Sequence, residues 1–429
     1  MKQLIVLGNG FDLSCGLKSS YSDFFLQRFS ELFCDGKAES FKEMKEKLEL
    51  KRNKILRDIN EMTRDPYYTI SNSCDYFKLC SKKWCSNDTL NRWDVIFLFA
   101  QVCIGKDINL YEWQDVESII YEVVSIVLTT SLQFKSKVSY KESAIVGKDN
   151  GKQFFNKIVS HISRIGKKGD VAGMATELLS ELKKFETIFA KFIEEQFELN
   201  RNDEYISNAV DLLKGISRYL PYMQMDTNAI EQIDVLSFNY SLDENFRSVI
   251  EDSRINSWSN IHGVVSFKTP NAIKDKTDYN RDLGLPAPIF GVDNHDIVNE
   301  TNETDLRISF TKPYRVIENN VNGIRESTGY EGVDLISIYG HSLGRADYSY
   351  FEALFDENNL YHSNCKIEYY YYQGKDEETK VIKRQEAITK MYSLLTDYGT
   401  TLSDTHGGSI VNKLNLENRL SVVPTEVFS

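Results

Sequence analysis

No C-x-x-C pair occurs among the seven cysteines of this 429-residue sequence. An odd number of cysteines without zinc spacing fits reduced thiols, so a cytoplasmic protein is expected. The closest group, Cys74, Cys80 and Cys85, reads as structural. None of the six histidines belongs to an H-E-x-x-H pattern, so no metal is expected. No apolar run is long enough to span a membrane, and the opening run Leu4 to Leu7 is too short for a secretory leader. Positive charge is not in excess. The net charge of −12 argues against a broad nucleic-acid-binding face, so an anionic ligand must be held locally by backbone N–H groups and helix N-termini. The third glycine of a G-x-G-x-x-G turn is missing too: Leu13 stands in its place and Gly16 comes too late.

What is present is a globular chain. A hydrophobic content of 41% supports a real core, and the length suits two or three domains or one domain with a large insertion. Leu4-Ile5-Val6-Leu7 reads as a buried strand that runs into the turn Gly8-Asn9-Gly10-Phe11-Asp12, where glycine permits close approach of a ligand to the backbone. Ser19 or Ser20, with Asp23 in the first turn, caps a helix. From there to about residue 220 the pattern is helical: a solvated helix from Phe41 to Ile59, buried helices at Trp93 to Cys103 and Val116 to Thr129, and a core stripe of Leu178, Leu182, Phe185, Phe189, Phe192 and Ile193. Glu186, beside that stripe, reads as a surface charge. Gly147 to Gly151 and Gly166 to Gly169 read as loops.

Strand character returns at Ile233 to Phe238, in short form at Ile261 to Val265 and Pro288 to Gly291, and clearly at Asp334 to Gly340 and Ile367 to Tyr372. Residues 292 to 332 suit a long loop or lid. Helices are expected at Tyr348 to Phe355, with Asp347 as N-cap, and at Lys380 to Leu395. The fold class expected is α/β, a Rossmann-like parallel sheet interrupted by a large α-helical insertion. Residues 1–20 and 230–400 would form the nucleotide-binding domain, 21–229 the helical insertion and 401–429 a C-terminal tail.

Four polar motifs sit at expected strand ends: Gly8-Asn9-Gly10-Phe11-Asp12, Ser237-Phe238-Asn239-Tyr240, Ile261-His262-Gly263 and Gly340-His341-Ser342-Leu343. In open α/β sheets that edge binds ligands. With Gly16-Leu17, Tyr21, Asp23-Phe24, Phe290-Gly291-Val292-Asp293 and Asp347, they resemble the bacteriophage abortive-infection AbiH family. More distantly, the same four resemble the sirtuin-like NAD-binding fold. That resemblance implies NAD as substrate or ligand. Gly8 and Gly10 would flank the pyrophosphate, and Asn9, Phe11 and Asp12 would belong to the cofactor-binding set. Asn239 would lie by the nicotinamide ribose and His262 would be the catalytic base. Ser237, Gly340, Ser342 and Asp347 would contact the cofactor. Ser241 stands where the resemblance expects aspartate, and Asp243 lies two residues on. No zinc-binding cysteine quartet is present, which argues against a protein deacylase.

The activity implied is anti-phage defence by hydrolysis of NAD at the nicotinamide–ribose bond. Nicotinamide leaves as a neutral molecule without a general acid, and a histidine base adds about 10²–10⁴-fold. The partners expected are a nucleotide, a phage-derived trigger or defence partner protein, and a second copy of the chain. A nucleotide-binding sensor or a partner-binding defence protein, without catalysis, is the alternative, supported by the serine at position 241. A third reading takes Gly340-His341-Ser342-Leu343-Gly344 as a serine-hydrolase elbow with Asp356 or Asp376 and His406.

Overall fold

A computed structural model of the chain describes residues 1–29, 38–50, 91–104, 113–133, 155, 159, 171–199, 204–218, 229–265, 288–294, 297, 305–324, 329–402 and 407–425. The chain divides into two compact units. One comprises Met1–Ser19, Ala190–Ile289 and Arg315–Ser429; the other comprises Ser20–Phe189 and Phe290–Tyr314. The cysteine group at 74, 80 and 85, both glycine loops and residues 51–59 of the charged helix lie outside the described residues; 41–50 is helical.

The first unit is built on a six-stranded sheet. Its strands are β1 (Lys2–Leu7), β2 (Gln232–Ser237), β3 (Ile255–Asn260), β4 (Leu335–Tyr339), β5 (Lys366–Tyr372) and β6 (Leu420–Thr425). The order is β3-β2-β1-β4-β5-β6 and every pairing is parallel. This is the α/β Rossmann-like arrangement expected from the sequence. β1 lies inside the sheet, and Leu4, Ile5, Val6 and Leu7 are all buried.

Strand alternation splits these side chains between two cores. Leu4 and Val6 join Leu236, Ile336, Ile338 and Ile367 on one face, covered by Phe351 and Phe355, by Met391 and Tyr398, and by Ile410 and Leu414. Ile5 and Leu7 join Ile233, Val235, Tyr339 and Trp258 on the other, covered by the helix Glu204–Ile216 and by Phe246. Parallel strands need both faces covered, and these helices cover them.

Several elements differ from the sequence expectation. The strand expected at Ile261 to Val265 ends before it, at Asn260, in the polar run Ile-Asn-Ser-Trp-Ser-Asn. All of that run but Asn256 is buried, and Ser257 Oγ and Asn256 Nδ2 donate to Asp234 Oδ1 at 2.6 and 3.0 Å. Pro288 to Gly291 forms no strand; next to it Val292 makes only an isolated bridge to Thr311. Within the expected lid, 306–310, 312–318 and 321–324 are helical. The stretch read as a tail contains the helix Ile410–Leu416 and β6. Pro424 hides β6 in the sequence and is tolerated there because β6 is an edge strand.

The described part of the second unit is mostly helical: Tyr21–Phe29, Arg92–Ile104, Trp113–Gln133 and the first part of Val171–Leu199. Ser20 Oγ accepts from Asp23 N at 3.1 Å, so Ser20 is the cap. Aromatic rings fill the core: Phe24 and Phe97 each pack on Phe185, and Phe189 packs on Phe290. Glu186 is not a surface charge. It is 1% exposed and its Oε1 accepts from Phe290 N at 2.8 Å, which a helical stripe alone does not reveal.

The glycines at the β1 and β4 turns serve backbone packing. A Cβ on Gly10 would lie 2.7 Å from Gly340 Cα, and one on Gly340 (φ +68°) would lie 2.4 Å from Phe11 N. A Cβ on Gly16 (φ +95°) would meet nothing within 4 Å. Gly16→Ala is expected to cost only backbone strain, roughly 1–3 kcal/mol. Gly340→Ala should add an overpacking cost of about 1–3 kcal/mol, and Gly10→Val should also destabilise the fold. Urea titration of the three variants checks this order.

Candidate functional site

The carboxyl ends of β1, β2, β3 and β4 carry the four motifs on neighbouring strands. After β1, Gly8 N donates to Tyr339 O, Gly10 N to Gly340 O and Phe11 N to Gly8 O, each at 2.9 Å. The close approach that glycine permits is thus used by the β4 turn. Asn9 Oδ1 accepts from Ser19 Oγ at 2.6 Å. Phe11 is fully buried in the core formed with Ile5 and Leu7.

Asp12 is 2% exposed. Its Oδ1 accepts from the Tyr205 hydroxyl at 2.8 Å, and Ser241 and Asn239 also hydrogen-bond to it. Burial raises its carboxyl from the ordinary 3.8 to about 6, against the lowering effect of these donors. Burial first, and then Asp12 itself, push the Tyr205 hydroxyl well above 10. Asp12, Asn239 and Ser241 therefore meet in one polar cluster. Tyr205 comes from the span read as insertion, and the sequence has no signal for it beyond a hydroxyl on an apolar helix.

The β2 turn is pinned through its backbone. Ser237 Oγ accepts from Asn239 N at 3.1 Å, so this hydroxyl stabilises the turn. Asn260 Nδ2 donates to the carbonyls of Asn239 and Leu242, both at 2.9 Å. Asn239 is 5% exposed, and its Oδ1 has no hydrogen-bond partner among the described residues. Asp243 caps the next turn, accepting from Asn245 N at 3.0 Å; burial raises its carboxyl to about 6.

A second cluster joins the β3 and β4 turns. Asp347 does not cap its helix with its side chain. Its carboxylate instead lies 3.3 Å from His341 Nε2 and 3.8 Å from His262 Nε2. His341 Nδ1 accepts from Leu343 N at 3.0 Å, which leaves Nε2 to carry the proton toward Asp347. Phe238 packs edge-on against both imidazoles, at centroid distances of 5.5 Å to His262 and 4.5 Å to His341. His341 had no role in the sequence reading, although it lies inside a quoted motif. Leu343 holds φ +55°, a rare state for a residue other than glycine.

Ser342 is half-buried and its Oγ accepts from Gly344 N at 3.4 Å. The acids of the hydrolase reading are engaged elsewhere. Asp356 accepts from the Tyr398 hydroxyl at 2.9 Å, and Asp376 caps the helix Glu377–Thr401. His406 lies outside the described residues. No cluster of His, Cys, Asp and Glu among the described residues could hold a metal ion. No described helix is long and apolar enough to cross a membrane.

The raised carboxyl of Asp12 has a consequence for stability. The folded chain holds this proton more tightly than the unfolded chain. The favourable contribution is full below about pH 4 and is lost as pH rises through about 6. The loss amounts to about 3 kcal/mol at most. Asp12→Asn removes it, so the stability of the variant relative to the parent should improve from acidic to neutral pH. Urea unfolding of both proteins at the two pH values measures this difference.

A family model described as bacteriophage abortive infection AbiH matches residues 4–371. No curated protein and no solved structure matches the chain. The match takes in all four strand-end motifs and both polar clusters, and the chain belongs to the bacteriophage abortive infection AbiH family.

Proposed function

We propose that this chain is an anti-phage defence protein that hydrolyses NAD at the nicotinamide–ribose bond. The family supports the defence role. The observation that carries the enzymatic reading is the meeting of four polar turns at one edge of the sheet, on the adjacent strands β3, β2, β1 and β4. In open α/β sheets that edge takes the ligand.

The chemistry asks little of the protein. The pyridinium leaves neutral, so no acid is required, and what remains is to orient an oxygen nucleophile and remove its proton. Asn239 brings a buried amide oxygen without charge. His262 brings an imidazole whose Nε2 lies 3.8 Å from Asp347, a carboxylate able to steady the imidazolium formed on proton uptake. Asp12 supplies a carboxylate at this edge where position 241 holds serine.

One observation favours the second reading, a nucleotide-binding sensor without catalysis. His262 is 3% exposed and its Nε2 faces Asp347, as in a structural histidine.

Mass spectrometry of small molecules after incubation of the protein with NAD separates these readings. Hydrolysis should release nicotinamide. His262→Ala and Asn239→Ala should each remove most of that release. Ser342→Ala should cost only a neutral hydrogen bond, about two- to twelvefold. Bound but intact nucleotide would favour the sensor. Ester turnover lost with Ser342 alone would favour a serine hydrolase.

A further inference from the structure

Asp12, Tyr205, Ser241 and Asn239 come from three separate stretches of the chain and meet beside the end of β1. The contacts around Asp12 run in one direction. An ionised carboxylate only accepts hydrogen bonds, so the Asn239 contact to it is made by the amide nitrogen. The amide oxygen is then turned away from Asp12. That oxygen is buried and has no hydrogen-bond partner among the described residues. The main chain of Asn239 cannot swing to relieve it, because Ser237 Oγ holds its N–H and Asn260 Nδ2 holds its carbonyl.

A buried acceptor left unmatched costs free energy, which a donor on a ligand relieves. A phosphate offers only acceptors and negative charge and does not fit beside Asp12. A hydroxyl fits. We infer that Asp12 is a positioning residue: it fixes the Asn239 amide so that Oδ1 accepts a hydrogen bond from a ribose hydroxyl of the bound dinucleotide. This rests on the NAD reading above.

The titratable neighbours of Asp12 are Tyr205 and Cys15, both raised by burial and both protonated across the neutral range. Asp243, two residues beyond Ser241, titrates near Asp12 but is tied to its cap. Once protonated, Asp12 gains an O–H that favours an amide turned over to accept it, and the Asn239 oxygen is then no longer presented to the ligand. Selectivity for the hydroxyl therefore weakens as pH falls through about 6.

The test is calorimetry on the full chain with NAD and with two analogues, lacking either the 2′ or the 3′ hydroxyl of the nicotinamide ribose. At neutral pH the parent should bind NAD about two- to twelvefold more tightly than at least one analogue. Asn239→Ala and Asp12→Asn should abolish that ratio, an effect general loosening of the fold does not produce. Tyr205→Phe keeps the carboxylate but removes one donor to it. The ratio should survive at neutral pH and its acidic midpoint should move up. A parent that binds NAD but treats all three ligands alike overturns the inference and leaves nucleotide binding intact. An Asp12→Asn protein that keeps the ratio overturns it too. Should that variant fail to fold, an unmoved midpoint in Tyr205→Phe does the same. No NAD binding by the parent overturns the NAD reading and the inference together.

Discussion

Two backbone hydrogen bonds continue the pairing of β1 and β4 past the ends of the strands. Gly8 N reaches Tyr339 O and Gly10 N reaches Gly340 O, both at 2.9 Å. The two turns come so close that a Cβ on Gly8 would lie 2.4 Å from His341 Cα. Glycine is needed there because backbone packs on backbone. The contact sets both polar clusters at once. Asp12 follows two residues after Gly10, and His341 follows directly after Gly340, so a change at either glycine moves groups on both sides.

Charged side chains among the described residues are held in different ways. Asp94 takes a bidentate pair from Arg28, at 3.0 and 2.6 Å, and Asp234 lies 3.4 Å from Lys2 Nζ. Lys312 meets Glu117 at 2.5 Å. Each of these charges sits beside an opposite one, the usual way a buried ion is tolerated. Asp12 is different, since the donors around it are neutral. Hydrogen bonds alone do not offset its desolvation, and its carboxyl stays raised. Asp347 is different again, faced by two imidazoles that change charge only when they take up a proton. Asp12 and Asp347 both lie at the edge of the sheet where ligands bind in this architecture.

Apolar runs made the sheet legible. Ile233 to Phe238 and Asp334 to Gly340 announce β2 and β4 because a strand buried on both faces is mostly apolar. β3 escaped because polar side chains matched by Asp234 replace that run, and β6 because Pro424 breaks the pattern at an edge. Glu186 escaped because its partner is a backbone N–H more than a hundred residues away, which no local period records.

The sequence by itself determined the α/β class, the parallel strands and the four strand-end motifs, since burial and turn chemistry are written in local residue order. Tertiary structure alone decided which motif residues meet. It brought Tyr205 to Asp12, turned the side chain of Asp347, at the N-cap position, toward His341 and His262, and gave the glycines of the first turn a backbone neighbour. Each of these contacts joins residues far apart in the chain. Their pairing depends on strand order, and strand order follows from the packing of the whole sheet.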